Sequence, residues 1–232
     1  MGAQELTRTF SGRREVAIGI GVYGAYLLVR RLVVNEEGRR LAARNARRIV
    51  VLERRLAIHV EPELQALLLP RRRVVAILNV AYATLNVGLT IGWLIRLFRG
   101  RHPDFHRLRR ATALTTLGAQ PIFLLFPVAP PRTLESFVDT ISDVSGVDLD
   151  NGLISRLYDP IAAMPSIHVA YAVVTAVGIA ETSSSGLVRG LAPAYPPLVA
   201  AVVFTTANHY VLDAIAGAAL GFGALRLARL LD

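Results

Sequence analysis

The chain has 232 residues, of which 53% are hydrophobic and 19% charged, and its mean hydropathy is +0.45. This apolar content exceeds what a water-soluble core of that size needs, so the sequence predicts an integral membrane protein and excludes a large soluble catalytic domain. No cysteine is present, which excludes disulfides, thiolate nucleophiles and cysteine-ligated zinc. All 26 basic residues are arginine, so lysine chemistry is excluded, and the net charge of +9 is expected to meet lipid headgroups rather than nucleic acid.

Six stretches of about 19 residues carry few charges, which is the length and composition of a membrane-spanning helix. They predict an all-α integral membrane bundle of six transmembrane helices. The first stretch is the weakest, because Arg30 and Arg31 lie inside it and have to reach the interface. In chain order the predicted spans are Val16–Val34, Val74–Phe98, Leu108–Pro130, Ile161–Ala180, Leu187–Ala207 and Val211–Leu231.

The segment between the first two spans, Asn35–Pro70, combines apolar residues at helical spacing with seven arginines. It predicts an amphipathic helix in the membrane interface, which either covers the end of the bundle as a solvated helix or gathers lipid headgroups. We therefore divide the chain into residues 1–73, an N-terminal span plus this interfacial helix, and residues 74–232, a five-helix catalytic core. The apolar positions of the segment are Leu41, Ile49, Leu52, Leu56, Val60 and Leu64.

The second span carries the polar side chains of Asn79, Tyr82 and Asn86. Tyr82 and Asn86 lie on one stripe of the predicted helix. We expect the three to form hydrogen bonds between helices, with the lining of a headgroup pocket as the alternative.

Three polar clusters interrupt the apolar stretches. Phe126–Arg132 closes the third span, Met164–His168 opens the fourth, and Asn208–Asp213 joins the fifth and sixth. Because successive spans alternate in direction, these three places lie at the same face of the membrane, whichever way the protein is inserted. The order of the spans therefore predicts that the clusters form one site.

The last cluster holds His209 and Asp213, four residues apart and hence on one face of a helix. The carboxylate can bond one imidazole nitrogen and leave the other as a nucleophile or a base. Taken alone, the pair is equally compatible with polar side chains satisfied between helices. A zinc site built from the pair and His168 is a weaker alternative, because no further carboxylate or histidine is evident around it.

The other two clusters supply groups that suit phosphate. Pro165 fits the first position of a helix, whose N-terminal amides lack intrahelical partners and favour an anion. Ser166 adds a hydroxyl, His168 can act as a general acid, and Arg132 can bind phosphate through two parallel hydrogen bonds. Each group alone has an ordinary explanation, as part of a capped transmembrane helix or as an interface arginine. Their conjunction at one face indicates a phosphate site.

Together, Phe126–Arg132, Ala162–His168 and Asn208–Asp213 resemble the motifs of the type 2 phosphatidic acid phosphatase superfamily. Within that superfamily they are similar to the branch that contains inositol phosphorylceramide synthase. The motifs come in the expected order and spacing over about residues 108–231, roughly half of the chain.

The resemblance implies a role for each motif residue. His209 would be the nucleophile that forms a phosphohistidine, Asp213 would orient it, and His168 would protonate the leaving oxygen. Neither a metal nor another cofactor is expected. The residues expected to bind substrate are Ser166 with its neighbouring amides, Arg132, Asn208 and Arg156.

Two positions depart from the pattern of the phosphatases. Where those enzymes usually carry a lysine and an arginine, this chain has Leu125 and Val203. The loss of two cationic phosphate ligands points away from a dianionic phosphomonoester and toward a phosphodiester donor, which carries less charge. Arg156 or the region around Arg44 is an alternative source of positive charge.

The leading functional interpretation is a membrane phosphotransferase that moves a phosphoryl or phospho-alcohol group between lipid substrates. The second is a lipid phosphate phosphatase that uses the same residues with water as acceptor, and the third is a non-catalytic transporter or scaffold with a buried proton relay. The expected partners are a phospholipid or lipid-linked phosphate, an alcohol or water acceptor, and the bilayer. We expect a bacterial plasma membrane protein with its site on the extracytoplasmic face, because the acidic segment 131–160 shares that face while several short basic loops lie opposite.

Overall fold

The computed structural model describes residues 10–146 and 158–232, and the regular structure within these ranges is helical, with one isolated bridge between Val128 and Ala162. The all-α fold class is thereby confirmed. The N-terminal helices are α1 (Gly12–Val33), α2 (Glu36–Arg55), α3 (Glu61–Leu68), α4 (Arg72–Val80) and α5 (Asn86–Arg99), the last two joined by the π-helical turn Ala81–Leu85. They are followed by α6 (Phe105–Leu125), α7 (Thr140–Ser145), α8 (Ile167–Thr182), α9 (Gly186–Leu191), α10 (Tyr195–Thr205) and α11 (Val211–Leu230).

Several helices begin at a residue whose side-chain oxygen accepts the backbone N–H three positions later. The first helical N–H groups have no partner within the helix, so a short polar side chain at this point stabilises the start by about 1 kcal/mol. The residues that cap helices α1, α2, α8 and α9 in this way are Ser11, Asn35, Ser166 and Ser185.

Three helical segments in the described ranges are long and apolar enough to cross a membrane by length and composition, namely Gly12–Val33, Gly186–Thr205 and Val211–Leu230. Helix α8 is apolar but shorter. The other two predicted spans correspond to α4 with α5, and to α6, which carry arginines near their ends and buried polar residues along their length. The chain is thus an integral membrane protein, while the number of six spans stays a prediction.

Where the sequence predicts one amphipathic helix over Asn35–Pro70, the structure has two, α2 and α3. The chain turns between them at Ala57, which takes a left-handed backbone conformation with φ of 55°. The N–H of Ile58 bonds back to the carbonyl of Glu53 at 3.0 Å, which is a typical helix-ending pattern. This turn brings the start of α3 back against the end of α2.

The buried face of α2 also differs from the predicted one. Ile49 is buried as expected, but Leu52 and Leu56 are about half exposed. All seven arginines of α2 are exposed. Four of the buried side chains join a hydrophobic core cluster with Val128, Ala129, Ala163 and Tyr210, which belong to the segments of the three clusters. The buried residues of α2 are Ala42, Asn45, Ala46, Ile49, Val50 and Glu53.

Helix α8 lies at the centre of the bundle and is packed by α5, α6, α10 and α11. Glycines permit the close approach of these helices. A Cβ at Gly178 would fall within 2.3 Å of the Trp93 ring, and one at Gly221 would lie 2.7 Å from the carbonyl oxygen of Ala170. The helix that carries His168 is therefore closely packed in the middle of the fold.

Gly217 makes the closest such contact at the site itself. A Cβ at this position would lie 2.3 Å from the carbonyl oxygen of Ser166. We expect Gly217→Ala to destabilise the protein by about 1 to 3 kcal/mol, because the segment before α8 has to move away from α11. The measurement is thermal unfolding in detergent, with Gly223→Ala on the same helix as the control, since a Cβ there has nothing within 4 Å. Equal unfolding temperatures for the two variants would contradict the assigned contact.

Candidate active site

The three polar clusters meet in the structure and are joined by main-chain hydrogen bonds. The N–H of Arg132 donates to the carbonyl of Ala207 at 2.8 Å, and the N–H of Ser166 donates to the carbonyl of Asp213 at 2.9 Å. The first cluster is also paired with the segment before the second, since Val128 exchanges two hydrogen bonds with residues 161 and 163. The backbone therefore holds the clusters in fixed register before any side chain is considered.

His209 and His168 face each other at the centre of this assembly. Nε2 of His209 lies 3.3 Å from Nδ1 of His168. On its other side, Nδ1 of His209 lies 2.8 Å from the carbonyl oxygen of Ala163, so this nitrogen carries the hydrogen and donates it. Nε2 of His209 is then the nitrogen with the lone pair.

Burial lowers the pKa of His209 to about 4, with the carbonyl of Ala163 opposing the shift and the charge of Arg132 reinforcing it. The imidazole is consequently neutral at neutral pH. A neutral ring with its hydrogen fixed on Nδ1 presents a lone pair on Nε2, which is the form that a nucleophile requires.

Asp213 lies next to His209, as the sequence predicts, but its carboxylate contacts two different groups. Its Oδ2 lies 3.4 Å from Nδ1 of His209 and accepts the N–H of Tyr210 at 2.9 Å. The shortest contact of the His209 Nδ1 is thus with the Ala163 carbonyl. Asp213 contributes a fully buried carboxylate close to the ring, where positive charge on the imidazole would be stabilised.

The second cluster differs from the sequence prediction by one position. Helix α8 begins at Ile167 with Ser166 as its N-cap, so Pro165 precedes the cap and is not the first helical residue. The hydroxyl oxygen of Ser166 is buried and accepts the N–H of Val169 at 3.3 Å. The amides of the first helical turn begin at Ile167, next to the ring of His168.

Arg132 is buried and its side chain reaches the wall of the site. One terminal nitrogen donates to the Tyr158 hydroxyl at 2.8 Å, and Nε lies 3.8 Å from a carboxylate oxygen of Asp139. Asn208 also belongs to the site, with its side-chain amide donating to Thr206. Arg156 lies outside the described residues.

Both histidines and Asn208 line a cavity of about 250 Å³. Asp159 belongs to the same lining, and burial raises the pKa of its carboxyl group, with the N–H of Ile161 and the charges of two arginines opposing the shift. Five of the seven tyrosines of the chain line this cavity, which gives the wall hydroxyl groups as well as aromatic faces and suits a polar headgroup. They are Tyr23, Tyr26, Tyr82, Tyr158 and Tyr171.

Sequence reasoning missed most of this aromatic wall. The spacing of Tyr23 and Tyr26, three residues apart in an apolar span, is the signal that could have indicated it. Tyr26 accepts the N–H of Asp159 at 2.8 Å, and Arg30 donates to the carbonyl of Tyr158 at 2.7 Å. Arg30, whose charge makes the first predicted span the least apolar, therefore links α1 to the site by a hydrogen bond.

The polar residues of the second predicted span lie in two kinds of surroundings. Asn86 donates to the carbonyl of His168 at 2.6 Å and accepts the Tyr195 hydroxyl at 2.8 Å, and Asn79 donates to the carbonyl of Thr140 at 2.7 Å. The predicted hydrogen bonds between helices are thus present for both asparagines. Tyr82 instead lines the 250 Å³ cavity, with its ring packed on that of His168 at a centroid distance of 4.4 Å, and the headgroup pocket stays a prediction.

Two glutamates from the amphipathic segment complete the support of the site. Glu53 accepts the N–H of Leu212 at 2.8 Å, and Glu61 accepts the N–H of Val211 at 2.7 Å. Both carboxylates are fully buried and cap the start of α11, directly after His209. These long-range bonds fix the turn that carries His209, and nothing in the linear spacing of the residues indicated them.

His59 lies between these glutamates, with Nδ1 at 3.3 Å from Glu53 and 3.1 Å from Glu61. Among the described residues, these three form a group whose potential metal-binding atoms lie within 4.8 Å of one another. One oxygen of each carboxylate is already bonded to α11. The contacts of these three side chains therefore link α2 and α3 to the start of α11.

Burial raises the pKa of Glu53 to about 8, with the Leu212 N–H opposing and the neighbouring Glu61 reinforcing the shift. The folded state thus holds a proton that the unfolded state releases near its ordinary pKa, so folding stability falls as pH rises toward 8. We expect the unfolding temperature of the wild type to drop between pH 6 and 9, and Glu53→Gln to flatten this dependence while keeping an acceptor for Leu212. Glu63→Gln, at an exposed position of α3, is the control. Parallel pH curves for wild type and Glu53→Gln would contradict the assignment.

Neither of the two apolar positions noted in the sequence, Leu125 and Val203, is among the residues that line the cavity. Leu125 is 78% exposed at the end of α6. Val203 is buried, and its carbonyl accepts the N–H groups of Asn208 and His209. Neither position supplies charge to the site.

A comparison with known families agrees with this arrangement. The model of the PAP2 superfamily matches residues 47–227, which include all three polar clusters and the glutamates that support them. The chain matches no curated protein and no solved structure. Because the match covers most of the sequence, the chain belongs to the PAP2 superfamily.

Proposed function

We propose that the chain is a membrane phosphotransferase that moves a phosphoryl or phospho-alcohol group between lipid substrates through a phosphohistidine on His209. Membership of the PAP2 superfamily indicates phosphatase or phosphotransferase activity on lipid-like phosphates. The observation that carries the finer proposal is the pair of facing histidines, with Nε2 of His209 at 3.3 Å from Nδ1 of His168 beside the cavity.

In the first step, the lone pair of His209 Nε2 attacks phosphorus, and the bond from phosphorus to the leaving oxygen breaks. Attack in line with the leaving group requires that oxygen opposite His209, so substrate entry separates the two imidazoles. His168 enters this step as an imidazolium, gives one proton to the leaving oxygen and becomes neutral. The positive charge that develops on His209 is stabilised by the Ala163 carbonyl and by the Asp213 carboxylate.

In the second step, an acceptor hydroxyl loses its proton to His168 and its oxygen attacks the phosphorus of phosphohistidine. The bond from phosphorus to Nε2 breaks, and the lone pair returns to His209. This restores both histidines to their starting protonation states. The same steps with water as the acceptor describe the phosphatase alternative.

The charge of the site favours a phosphodiester donor. Leu125 and Val203 supply no cation, and Arg132 already contacts Tyr158 and Asp139. A monoester carries about two negative charges near neutral pH, and a partly unpaired dianion is costly to desolvate. A monoanionic diester fits this balance better, which supports placing the chain near the inositol phosphorylceramide synthase-like branch. The proposed extracytoplasmic position of the site rests on the acidic segment 131–160 and on the short basic loops opposite it.

The test measures the fate of a labelled phospho-alcohol group. Purified protein is given headgroup-labelled phospholipids with and without lipid alcohols, in water enriched in ¹⁸O. The proposal predicts labelled lipid product only when an acceptor is present, and preference for a diester over the matched monoester. Release of the ¹⁸O-labelled phospho-alcohol, or of ¹⁸O-labelled phosphate from the matched monoester, without dependence on acceptor would instead establish the phosphatase alternative.

A further inference from the structure

A second cavity, of about 710 Å³, lies between α1 and the pair α5 and α6. It exists because α1 packs mainly on α6 and stands away from α5. The volume is within the range of sites that hold small ligands. Its facing walls are helix stripes at spacings of three and four residues, formed on α1 by Gly12, Val16, Gly19 and Tyr23 and on α5 by Val87, Ile91, Leu94 and Phe98.

This groove continues into the catalytic cavity. Tyr23, Val87, Thr116 and Tyr171 line both. The hydroxyls of Thr116 and Tyr171 bond to each other at this junction, so polar groups there are satisfied and the wall beyond is almost entirely apolar. The two cavities thus form one elongated space with a polar end at the histidines and an apolar arm along α1.

The length of the apolar arm matches one leaflet of a bilayer. The distance along α1 from Tyr23 to Gly12 is about 16 Å at about 1.5 Å per residue. Half of the hydrocarbon core of a membrane is about 15 Å. At the far end of the arm, Glu15 and Arg109 form an ion pair at 3.1 Å, which closes the apolar stretch with charge.

We propose that this groove, the α1–α5 groove, holds an acyl chain of the phospholipid substrate while the phosphate of the same molecule lies at His209. The proposal rests on the proposed function and adds to it the binding site of the tail. The amphipathic shape of the combined space selects a phosphate that carries a long chain over a water-soluble phosphate. A lipid reaches it sideways from the bilayer, because α1 is exposed along most of its length.

A matched pair of glycines on α1 provides the test. Gly19 and Gly21 are both exposed, but only Gly19 lines the groove, and a Cβ at either position has nothing within 4 Å. Gly19→Trp should therefore fill the groove without breaking a contact. We expect it to lower kcat/KM at least tenfold for a diacyl phospholipid with 16-carbon chains, and to change that for the 4-carbon analogue with the same headgroup by less than twofold.

Gly21→Trp is expected to leave both values within twofold of the wild type. Equal losses for long and short chains in Gly19→Trp, or no loss for either, would overturn the proposal. A loss in Gly21→Trp as large as that in Gly19→Trp would overturn it too, because any bulky side chain on α1 would then act alike.

A second readout separates this proposal from the proposed function. The 16-carbon diacyl phospholipid of the kinetic test, carrying a photoreactive diazirine midway along one chain, is irradiated with the full-length protein in detergent, and labelled peptides are mapped by mass spectrometry. The groove predicts labelling of α1 and α5, reduced by Gly19→Trp and not by Gly21→Trp. The groove predicts this labelling even if the protein turns over neither the 16-carbon nor the 4-carbon phospholipid. In that case the proposed function fails and the groove proposal does not. Labelling that Gly19→Trp does not reduce would show ordinary bilayer contact and overturn the groove.

Discussion

Replacement of His209 by alanine is expected to reduce turnover to the background rate. The variant lacks the nitrogen of the proposed covalent intermediate, and no other group among the described residues occupies its place between Ala163 and His168. Loss of a nucleophile typically costs about 10⁶ in kcat. The measurement is turnover of the labelled phospholipid donor by purified protein in detergent.

The control for this variant is His102→Ala, which changes a histidine in the turn before α6. It should keep near wild-type turnover. Unfolding temperature and elution volume show whether His209→Ala is folded. A folded His209→Ala protein that retains more than a few percent of wild-type turnover would refute the assignment of His209 as nucleophile.

Replacement of His168 by alanine is expected to have an effect that depends on the leaving group. A general acid contributes about 10² to 10⁴ in rate when the leaving oxygen is a poor one. A nitrophenolate needs no proton to depart, so a nitrophenyl diester should lose much less in the first step. The comparison uses kcat/KM for an alkyl and a nitrophenyl phosphodiester that share the same lipid part.

Asp213→Asn supplies the contrast, because Asp213 acts through His209 and not on the leaving oxygen. It should lose activity to a similar degree with both diesters. If His168→Ala also loses activity equally with both, His168 has no general-acid role and its packing against Tyr82 accounts for the effect.

The sequence was sufficient to predict that the three polar clusters meet. That prediction depends on the order of the apolar stretches, and the observed bonds of Arg132 to Ala207 and of Ser166 to Asp213 agree with it. Periodicity and spacing describe only neighbouring residues. The alternation of span direction adds the prediction that clusters far apart in the sequence lie at the same membrane face. The helical class followed from the same hydropathy pattern.

The supporting contacts could not be predicted in this way. Glu53 and Glu61 reach α11 only because the chain reverses at Ala57, and a positive φ at an alanine has no clear sequence signal. The same reversal explains why one predicted amphipathic helix is two. Periodicity places apolar residues on a face but does not show that buried glutamates replace them where a helix start needs acceptors.

The cavity wall shows a similar limit. Tyr23 and Tyr158 come from distant parts of the chain, and each alone resembles an interface tyrosine. Both line the cavity in the folded protein, where a hydrogen bond from Arg30 links α1 to the loop before α8. The α1–α5 groove likewise exists because α1 packs mainly on α6 and not on α5. Composition does not determine which neighbour a helix packs on.

The most direct test of the central claim is to trap the covalent intermediate. Protein is mixed with a phospholipid labelled at phosphorus, stopped with alkali within milliseconds to seconds, and digested for mass spectrometry under alkaline conditions, in which phosphohistidine survives. The account predicts a phosphorus-linked adduct on the peptide that contains His209, absent from His209→Ala and increased in His168→Ala with the nitrophenyl diester. Turnover by the wild type with no adduct on His209 at any time, or with an adduct on another residue, would contradict it.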